Sequence, residues 1–360
     1  MDLTGGLGVD TYYLSEGFDE IHYVERQQDL CALAEHNFAL TGKPIHVHCC
    51  SAEEYLEKLD SADRTNKPHS DHGANKPEET TIFMDPARRD SHGGKVFRLE
   101  DCEPNAVALL SILRAHARRI LLKLSPMLDL TEAVRALGGA AEIHVVAVRN
   151  EVKEVLVLLE TGCDNPDPEI TCVNLETDDE TFSFRRSEEE ATNRANWANE
   201  ANSANEELTL IEPNAAIIKA GAFRTFAERY GLQKLDTNSH LYVLPKDSRS
   251  TQESSELLSK TWPCSMPTVP SSMRDRSETV RKRAALFDRI PGRIFTVRIA
   301  TKNELKNLKQ ANVICRNYPM TPDALKKKLH LKDGGQTYLI GTKIAGKTTL
   351  FLGTRQFLHT

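Results

Sequence analysis

The sequence predicts an α/β fold: a mostly parallel sheet closed by an antiparallel hairpin, followed by small α+β domains. Three observations predict it. Short apolar runs alternate with helical patterns through the first half of the chain, as βαβ units require. A glycine-rich turn, Asp2-Leu3-Thr4-Gly5-Gly6-Leu7-Gly8-Val9-Asp10, separates the first apolar stub from the first helix, and such turns let backbone approach a ligand closely. Two apolar runs, Glu142 to Val148 and Val152 to Leu159, are joined only by Arg149-Asn150-Glu151. That hairpin places an antiparallel strand near the sheet edge.

The elements follow in order. Asp2-Leu3 is a strand stub, and Thr11 to Ser15 opens a helix. Glu20 to Glu25 is a strand, and Asp29 to Leu40 has helical spacing through Leu30, Leu33, Ala34, Asn37 and Phe38,. A strand at Ile45 to Cys50 and a helix at Ala52 to Leu59 come next. Residues 61–79 are polar, with two Lys-Pro steps and no apolar period, and read as a mobile insertion. A strand at Thr81 to Met84 runs into Asp85-Pro86-Ala87-Arg88-Arg89-Asp90. A helix at Ala106 to Ala115, a strand at Arg119 to Leu124 and a helix at Leu130 to Leu137 lead to the hairpin, completing a domain over 1–162.

Residues 163–210 read as an acidic spacer. From Cys163 to Glu212 there are 14 acidic against 3 basic residues, and an Ala/Asn/Glu-rich tract lacks apolar periodicity,. A third segment, 211–295, holds a helix from Ala215 to Tyr230, a strand from His240 to Leu244 and a Ser/Pro-rich linker over 248–273. The last segment, 296–360, combines strands at Ile294 to Ile299, Val313 to Arg316, Thr337 to Thr342 and Thr348 to Leu352 with a helix at Pro322 to Leu329.

Net charge is −6 over 360 residues, so the whole chain is no polycation. From Met273 onward, however, 19 Lys/Arg face 6 Asp/Glu, which points to an anionic partner, nucleic acid first. The 8 cysteines form no Cys-x-x-Cys pair, and His69, His72 and His92 lack ligand spacing, so no metal is expected. Trp262-Pro263-Cys264 lies in the Ser/Pro linker and reads as chance rather than a thiolate nucleophile. With no signal peptide and no membrane-length apolar run, the expected location is cytoplasmic and no membrane partner is expected.

Three constellations carry chemistry. Gly6-x-Gly8 lacks the third glycine of the dinucleotide fingerprint, because Thr11 stands in its place,. Glu25 ends the second strand about 20 residues after the loop, where an acid can accept from both hydroxyls of a ribose. Asp85-Pro86-Ala87-Arg88 ends the fourth strand, where α/β sheets place ligands.

Together, DLTGGLGVD, the acidic end of YVE and FMDPARR resemble motifs of class I S-adenosylmethionine-dependent methyltransferases, a Rossmann-like fold. DPAR is similar to the Asp/Asn-Pro-Pro-x motif of enzymes that methylate amino groups of nucleic-acid bases, with Ala87 replacing the usual second proline. NEVKEVLVLLE, EPNAAIIKAGAF, HLYVLP and NYPMTPDALKKKLHLKDGGQTYLIGTK are similar to a bacterial group whose methyltransferase domain precedes a ferredoxin-like module and a THUMP-like domain.

The resemblance implies S-adenosylmethionine as cofactor, held by Asp2, Thr4, Gly5, Gly6, Gly8, Asp10, Glu25, Ser51, Ala52 and Asp85. Its ammonium and sulfonium suit acidic neighbours. Asp85, Pro86 and Arg88 are implied as catalytic, and RNA is the implied partner through the THUMP-like domain. Arg88, Arg89, Lys95 and Lys326, Lys327 and Lys328 are the candidate nucleic-acid contacts. Two other functions compete: a nucleotide-dependent oxidoreductase, and a catalytically inactive RNA-binding scaffold. The loop also opens at residue 2, whereas a strand runs about 5 residues. An upstream segment is therefore expected to be missing, with the first strand truncated and the enzyme impaired unless that strand is supplied from elsewhere.

Overall fold

A computed structural model describes residues 1–65, 77–88, 98–192, 207–245, 289–344 and 346–356. The chain divides into two compact units, Met1–Ala147 with Val152–Thr171, and Val148–Glu151 with Cys172–Thr360.

In the first unit, α1 (Val9–Leu14), β1 (Ile21–Glu25), α2 (Gln28–Thr41), β2 (Ile45–Cys49) and α3 (Ala52–Thr65) follow the loop. Every residue of β1 is buried, as in a parallel strand covered on both faces. On α2, Cys31, Ala34 and Phe38 form one buried stripe against Tyr23, with the Tyr23 and Phe38 rings edge-to-face at 5.6 Å. Such a pair adds about 1 kcal/mol beyond its buried area. β1 pairs with β2 in parallel, Glu25 opposite Cys49.

β3 (Thr81–Met84) pairs in parallel with β6 (Arg119–Leu124). Between them in sequence lie the two-residue strands β4 (Ala87–Arg88) and β5 (Cys102–Glu103) and the helix α4 (Ala106–His116). The Asp2 stub bridges Tyr23 of β1 and Phe83 of β3, parallel to both. Asp2 N–H donates to the His22 carbonyl at 2.8 Å and Leu3 N–H to the Phe83 carbonyl at 3.0 Å. After α5 (Leu130–Leu137), β7 (Glu142–Val148) and β8 (Glu151–Glu160) complete the hairpin. Its turn places Arg149 and Asn150 at φ 49° and 66°, the twist a two-residue hairpin loop needs. β8 runs antiparallel to β6. The mostly parallel sheet with its antiparallel closure is thus present, and the carboxyl ends of β1, β3 and β6 share one rim.

The polar insertion is shorter than its sequence suggests. α3 continues to Thr65 and Pro77–Glu79 forms a 3-10 turn; residues 66–76 lie outside the described residues. Within 163–210, read from sequence as a spacer, stand β9 (Glu169–Leu175), β10 (Phe182–Arg185), α6 (Arg186–Ala191) and the start of β11 (Leu208–Pro213). Acidic composition masked the alternation in β9, where Ile170, Cys172 and Asn174 are buried in turn. Within the first unit the strand order is β7–β8–β6–β3.

In the second unit, the single helix expected at 215–230 is two, α7 (Ala215–Ala220) and α8 (Phe223–Arg229). Gly221 takes φ 75° and caps the first, which ends the helical path. The Glu189 carboxylate caps α8, accepting from the backbone N–H groups of Arg224 and Thr225 at 2.8 Å, as the helix dipole favours. β12 (Gln233–Asp236), β13 (Ser239–Val243), β14 (Gly292–Ile299), α9 (Lys302–Asn307), β15 (Asn312–Cys315), α10 (Pro322–Leu329), β16 (Thr337–Ile344) and β17 (Lys347–Gln356) complete it. One seven-stranded sheet, β12–β13–β11–β14–β17–β16–β15, runs through them. The 295/296 boundary expected from sequence falls inside β14. Leu210, Phe295, Val297, Ile340 and Phe351 form one face's core, and Leu325 of α10 packs with Ala311 and Leu339. The 248–273 linker lies outside the described residues.

Candidate functional site

The rim of the first unit is built around the loop. Gly5 N–H donates to the Val24 carbonyl at 2.9 Å, and a Cβ on Gly5 would stand 2.1 Å from the Tyr23 ring. Gly8 has φ 77°, and its Cβ would meet Phe38 at 2.6 Å. Only glycine allows the backbone to lie this close to β1 and α2. The Tyr23 hydroxyl then donates to the Gly6 carbonyl at 2.6 Å, pinning the turn from below.

Asp2 braces this loop. It is 4% exposed and accepts from Thr4 N–H at 2.9 Å and from the Thr11 hydroxyl at 2.5 Å. Burial holds its carboxyl above the usual range, against the pull of those hydrogen bonds,. Thr11, which breaks the dinucleotide pattern, therefore closes the loop on Asp2. Glu25 is buried at the end of β1 and accepts from Gly6 N–H at 3.0 Å through one oxygen and from Gln27 N–H at 2.8 Å through the other. An ionised carboxylate offers about four acceptor positions, so each oxygen keeps capacity for a hydroxyl donor.

Ser51 follows β2 and forms a reciprocal cap on α3. Its hydroxyl accepts from Glu54 N–H at 3.1 Å, and its own N–H donates to the Glu54 carboxylate at 3.2 Å,. Ala52 is buried beside it. These two flank the end of β2 next to Glu25 in the β1–β2 register.

Thr4 joins the loop to the end of β3, its hydroxyl accepting from Asp85 N–H at 2.7 Å. The structure thereby brings Asp85 against the loop, with Pro86 following it. The β4–β5 ribbon, which sequence reasoning missed, carries the chain onward, pairing Ala87 with Glu103 and Arg88 with Cys102. Arg89 and Lys95 lie outside the described residues.

A second residue escaped sequence reasoning. Lys123 of β6 places its ammonium 2.8 Å from Asp10 Oδ2 and 3.3 Å from Asp85 Oδ2. Burial opposes its charge, yet Asp10 and Asp85 together hold its pKa above the ordinary lysine value. Burial also raises the Asp85 carboxyl, with Lys123 pulling the other way. Glu154 of β8 is raised by burial as well, and feels Lys123, Asp10 and Asp85. The available signal was a lysine within the otherwise apolar run Ile120 to Leu124.

In the second unit, α10 carries Lys326, Lys327 and Lys328. Lys326 is tied to Asp333 at 3.0 Å and Asp323 at 3.5 Å, whereas Lys327 and Lys328 are exposed. Among the described residues, no group of His, Cys, Asp and Glu could hold a metal ion, and no helix is long and apolar enough to cross a membrane.

Known proteins share these parts. Residues 210–248 match a ferredoxin-like domain and residues 292–355 a THUMP domain-like family. Two uncharacterized S-adenosylmethionine-dependent methyltransferases of Mycobacterium tuberculosis, strains CDC 1551 and H37Rv, are each 27% identical over 158 residues, 44% of this chain. The chain spans 39% of the length of these curated relatives. The crystal structure of a candidate methyltransferase from Porphyromonas gingivalis W83 is 29% identical, with a TM-score of 0.71, covering 99% of this chain and 76% of that one. The chain thus combines a Rossmann-like methyltransferase fold with ferredoxin-like and THUMP-like domains, as the motifs implied.

Proposed function

We propose that this chain is an S-adenosylmethionine-dependent methyltransferase that modifies an amino nitrogen of an RNA base, acting in the cytoplasm. One observation carries the reading: the Thr4 hydroxyl links the glycine loop directly to Asp85, so the cofactor end and the reacting end form one structure. The similarity to methyltransferases supports the class, and the THUMP-like match with exposed Lys327 and Lys328 supports RNA.

The residues suit the cofactor. Gly5 and Gly8 let the loop backbone lie against Tyr23 and Phe38 beside the strand ends, Glu25 retains acceptor capacity for the ribose hydroxyls, and Asp10 is a carboxylate for the ammonium group. Thr4 and Asp2 act by fixing the loop, and Ser51 with Ala52 borders the base-binding end. When bound, S-adenosylmethionine supplies a sulfonium methyl group with an excellent leaving group, so positioning provides most of the acceleration.

Asp85 provides that positioning. An exocyclic amine is a poor nucleophile because its lone pair is delocalised into the ring. Hydrogen bonds from the NH2 to the Asp85 carboxylate and to the backbone carbonyl of Pro86, whose φ is fixed, favour a pyramidal nitrogen. A stacked base must be flipped out first, at a cost of a few kcal/mol; Arg88, Arg89 and Lys95 follow Asp85 closely enough in sequence to engage flanking phosphates.

The oxidoreductase alternative is disfavoured by Thr11, which occupies the third glycine position and binds Asp2. Calorimetry with S-adenosylmethionine tests the reading: absence of binding at millimolar concentration overturns it. Asp85→Ala is expected to abolish methyl incorporation into RNA while leaving RNA binding intact, and mass spectrometry of RNA nucleosides from cells lacking the protein identifies the product. Full activity in Asp85→Ala would remove this residue from the mechanism.

A further inference from the structure

Lys123 has no role in the reading above, yet it is the cation at the centre of the rim. Its two ion-pair partners come from different elements: Asp10 from α1 beside the cofactor loop, and Asp85 from the end of β3. Glu154 faces the same charges from β8, and Asp2 feels the charges of Asp10 and of the Met1 amine. Among the described residues, the carboxylates of Asp10, Asp85 and Glu154 therefore outnumber the Lys123 ammonium, and Lys123 is 26% exposed, shielded enough for the pairing to be felt,.

That imbalance bears on Asp85. A carboxylate that is half-buried among other carboxylates tends to take up a proton. A protonated Asp85 would present an O–H donor to the target nitrogen and withdraw the very lone pair that has to attack. We propose that Lys123 is a positioning residue of the methyl-transfer site: an ammonium shared between Asp10 and Asp85 that keeps Asp85 ionised and turned to accept from the target amine. The inference rests on Asp85 being that acceptor. It assigns Lys123 an action through Asp85 and no contact with the substrate. Burial already holds Asp85 above the usual carboxylate range with Lys123 in place, so removing the ammonium takes away the charge that opposes it among the described residues.

The test measures Asp85 directly. Full-length protein carrying 13C-carboxyl aspartate is titrated by NMR, with the Asp85 signal assigned by its loss in D85N. Lys123→Met, and Lys123→Gln as a second neutral variant should the first fail to fold, are expected to move the Asp85 midpoint up by about one pH unit or more. Lys123→Arg, which keeps the charge, leaves it in place. In parallel, methyl incorporation from tritiated S-adenosylmethionine into total RNA from cells lacking the protein is followed against pH. Since activity requires ionised Asp85, the acid limb moves to higher pH in the neutral variants, with at least a tenfold loss of rate on that limb, and is restored by arginine. A midpoint unchanged in K123M or K123Q overturns the proposal, as does an unmoved acid limb with uniformly lowered rate, the pattern of lost packing alone. If wild-type protein leaves the RNA unlabelled, the RNA reading fails by itself, and the NMR midpoint still decides the role of Lys123.

Discussion

Each unit of this chain has a charge centre, and the two are built in opposite ways. In the second unit, Glu212 is 1% exposed and receives two guanidinium groups, Arg293 Nε at 2.8 Å and Arg316 Nε at 2.6 Å. Each oxygen of the buried anion has a donor. In the first unit, one ammonium, Lys123, serves Asp10 and Asp85 with Glu154 nearby, and both paired carboxylates are 44% exposed. Among the described side chains of this centre negative charge is in excess, and carboxylate oxygens still reach solvent. A satisfied buried ion cluster serves the scaffold. One left short of counter-charge at a sheet rim has room for a cationic or hydrogen-bond-donating ligand, the arrangement expected where pKa values are shifted for function.

The largest test of that contrast is Glu212→Ala. It strips the shared acceptor from Arg293 and Arg316, which sit on β14 and just after β15, and leaves two guanidinium groups poorly paired. Removing one partner of a buried pair costs about 3–5 kcal/mol; here the lower end applies, since the arginines are 24% and 38% exposed. Thermal unfolding should show the second unit melting earlier, with S-adenosylmethionine affinity unchanged by calorimetry. An unaltered melting profile would mean that the Glu212 centre is no structural keystone.

Asp10→Asn applies the same operation to the open centre and should give the reverse pattern. A partly exposed pair such as Asp10–Lys123 contributes about 0.2–1 kcal/mol, so unfolding moves little. Affinity for S-adenosylmethionine falls roughly tenfold, the size of one charge-assisted hydrogen bond. A stability loss matching that of Glu212→Ala, with affinity preserved, would erase the distinction between the centres.

How each centre was reached from sequence differs too. The loop was readable because its signals are local: Gly6 and Gly8 two residues apart, with Asp2 and Asp10 at either end. Glu25 and Asp85 were readable because strand ends in α/β sheets are where ligands bind. Lys123 was not, since its bond to Asp10 spans 113 positions and its own neighbours spell an ordinary strand. Asp2 was legible as an acid but not as a brace, because its partner Thr11 was read only as a missing glycine. The acidic run hid β9 and β10, whose burial alternates in a pattern that composition averages away. Gly221 lay in plain view within an apolar helical run, and its left-handed φ belongs to the fold rather than to the residue.

Glu154→Gln is the smallest change and the finest probe of excess charge. Burial, then repulsion from Asp10 and Asp85, holds the Glu154 carboxyl above its ordinary value despite Lys123. A carboxyl raised in the folded state binds its proton more tightly there than in the unfolded chain. Its charged form therefore opposes folding above the folded pKa, and that penalty fades as pH falls through the folded value toward the unfolded one. Glutamine keeps the shape and removes the charge, so the variant should be more stable than wild type at pH 7 by about 0.3 kcal/mol, small because the side chain is partly solvated. Melting curves from pH 7 to pH 4 should show the gain shrinking toward zero as Glu154 itself becomes neutral. A gain that persists undiminished at pH 4 would trace to packing of the amide, and the first unit's centre would then carry no surplus of negative charge.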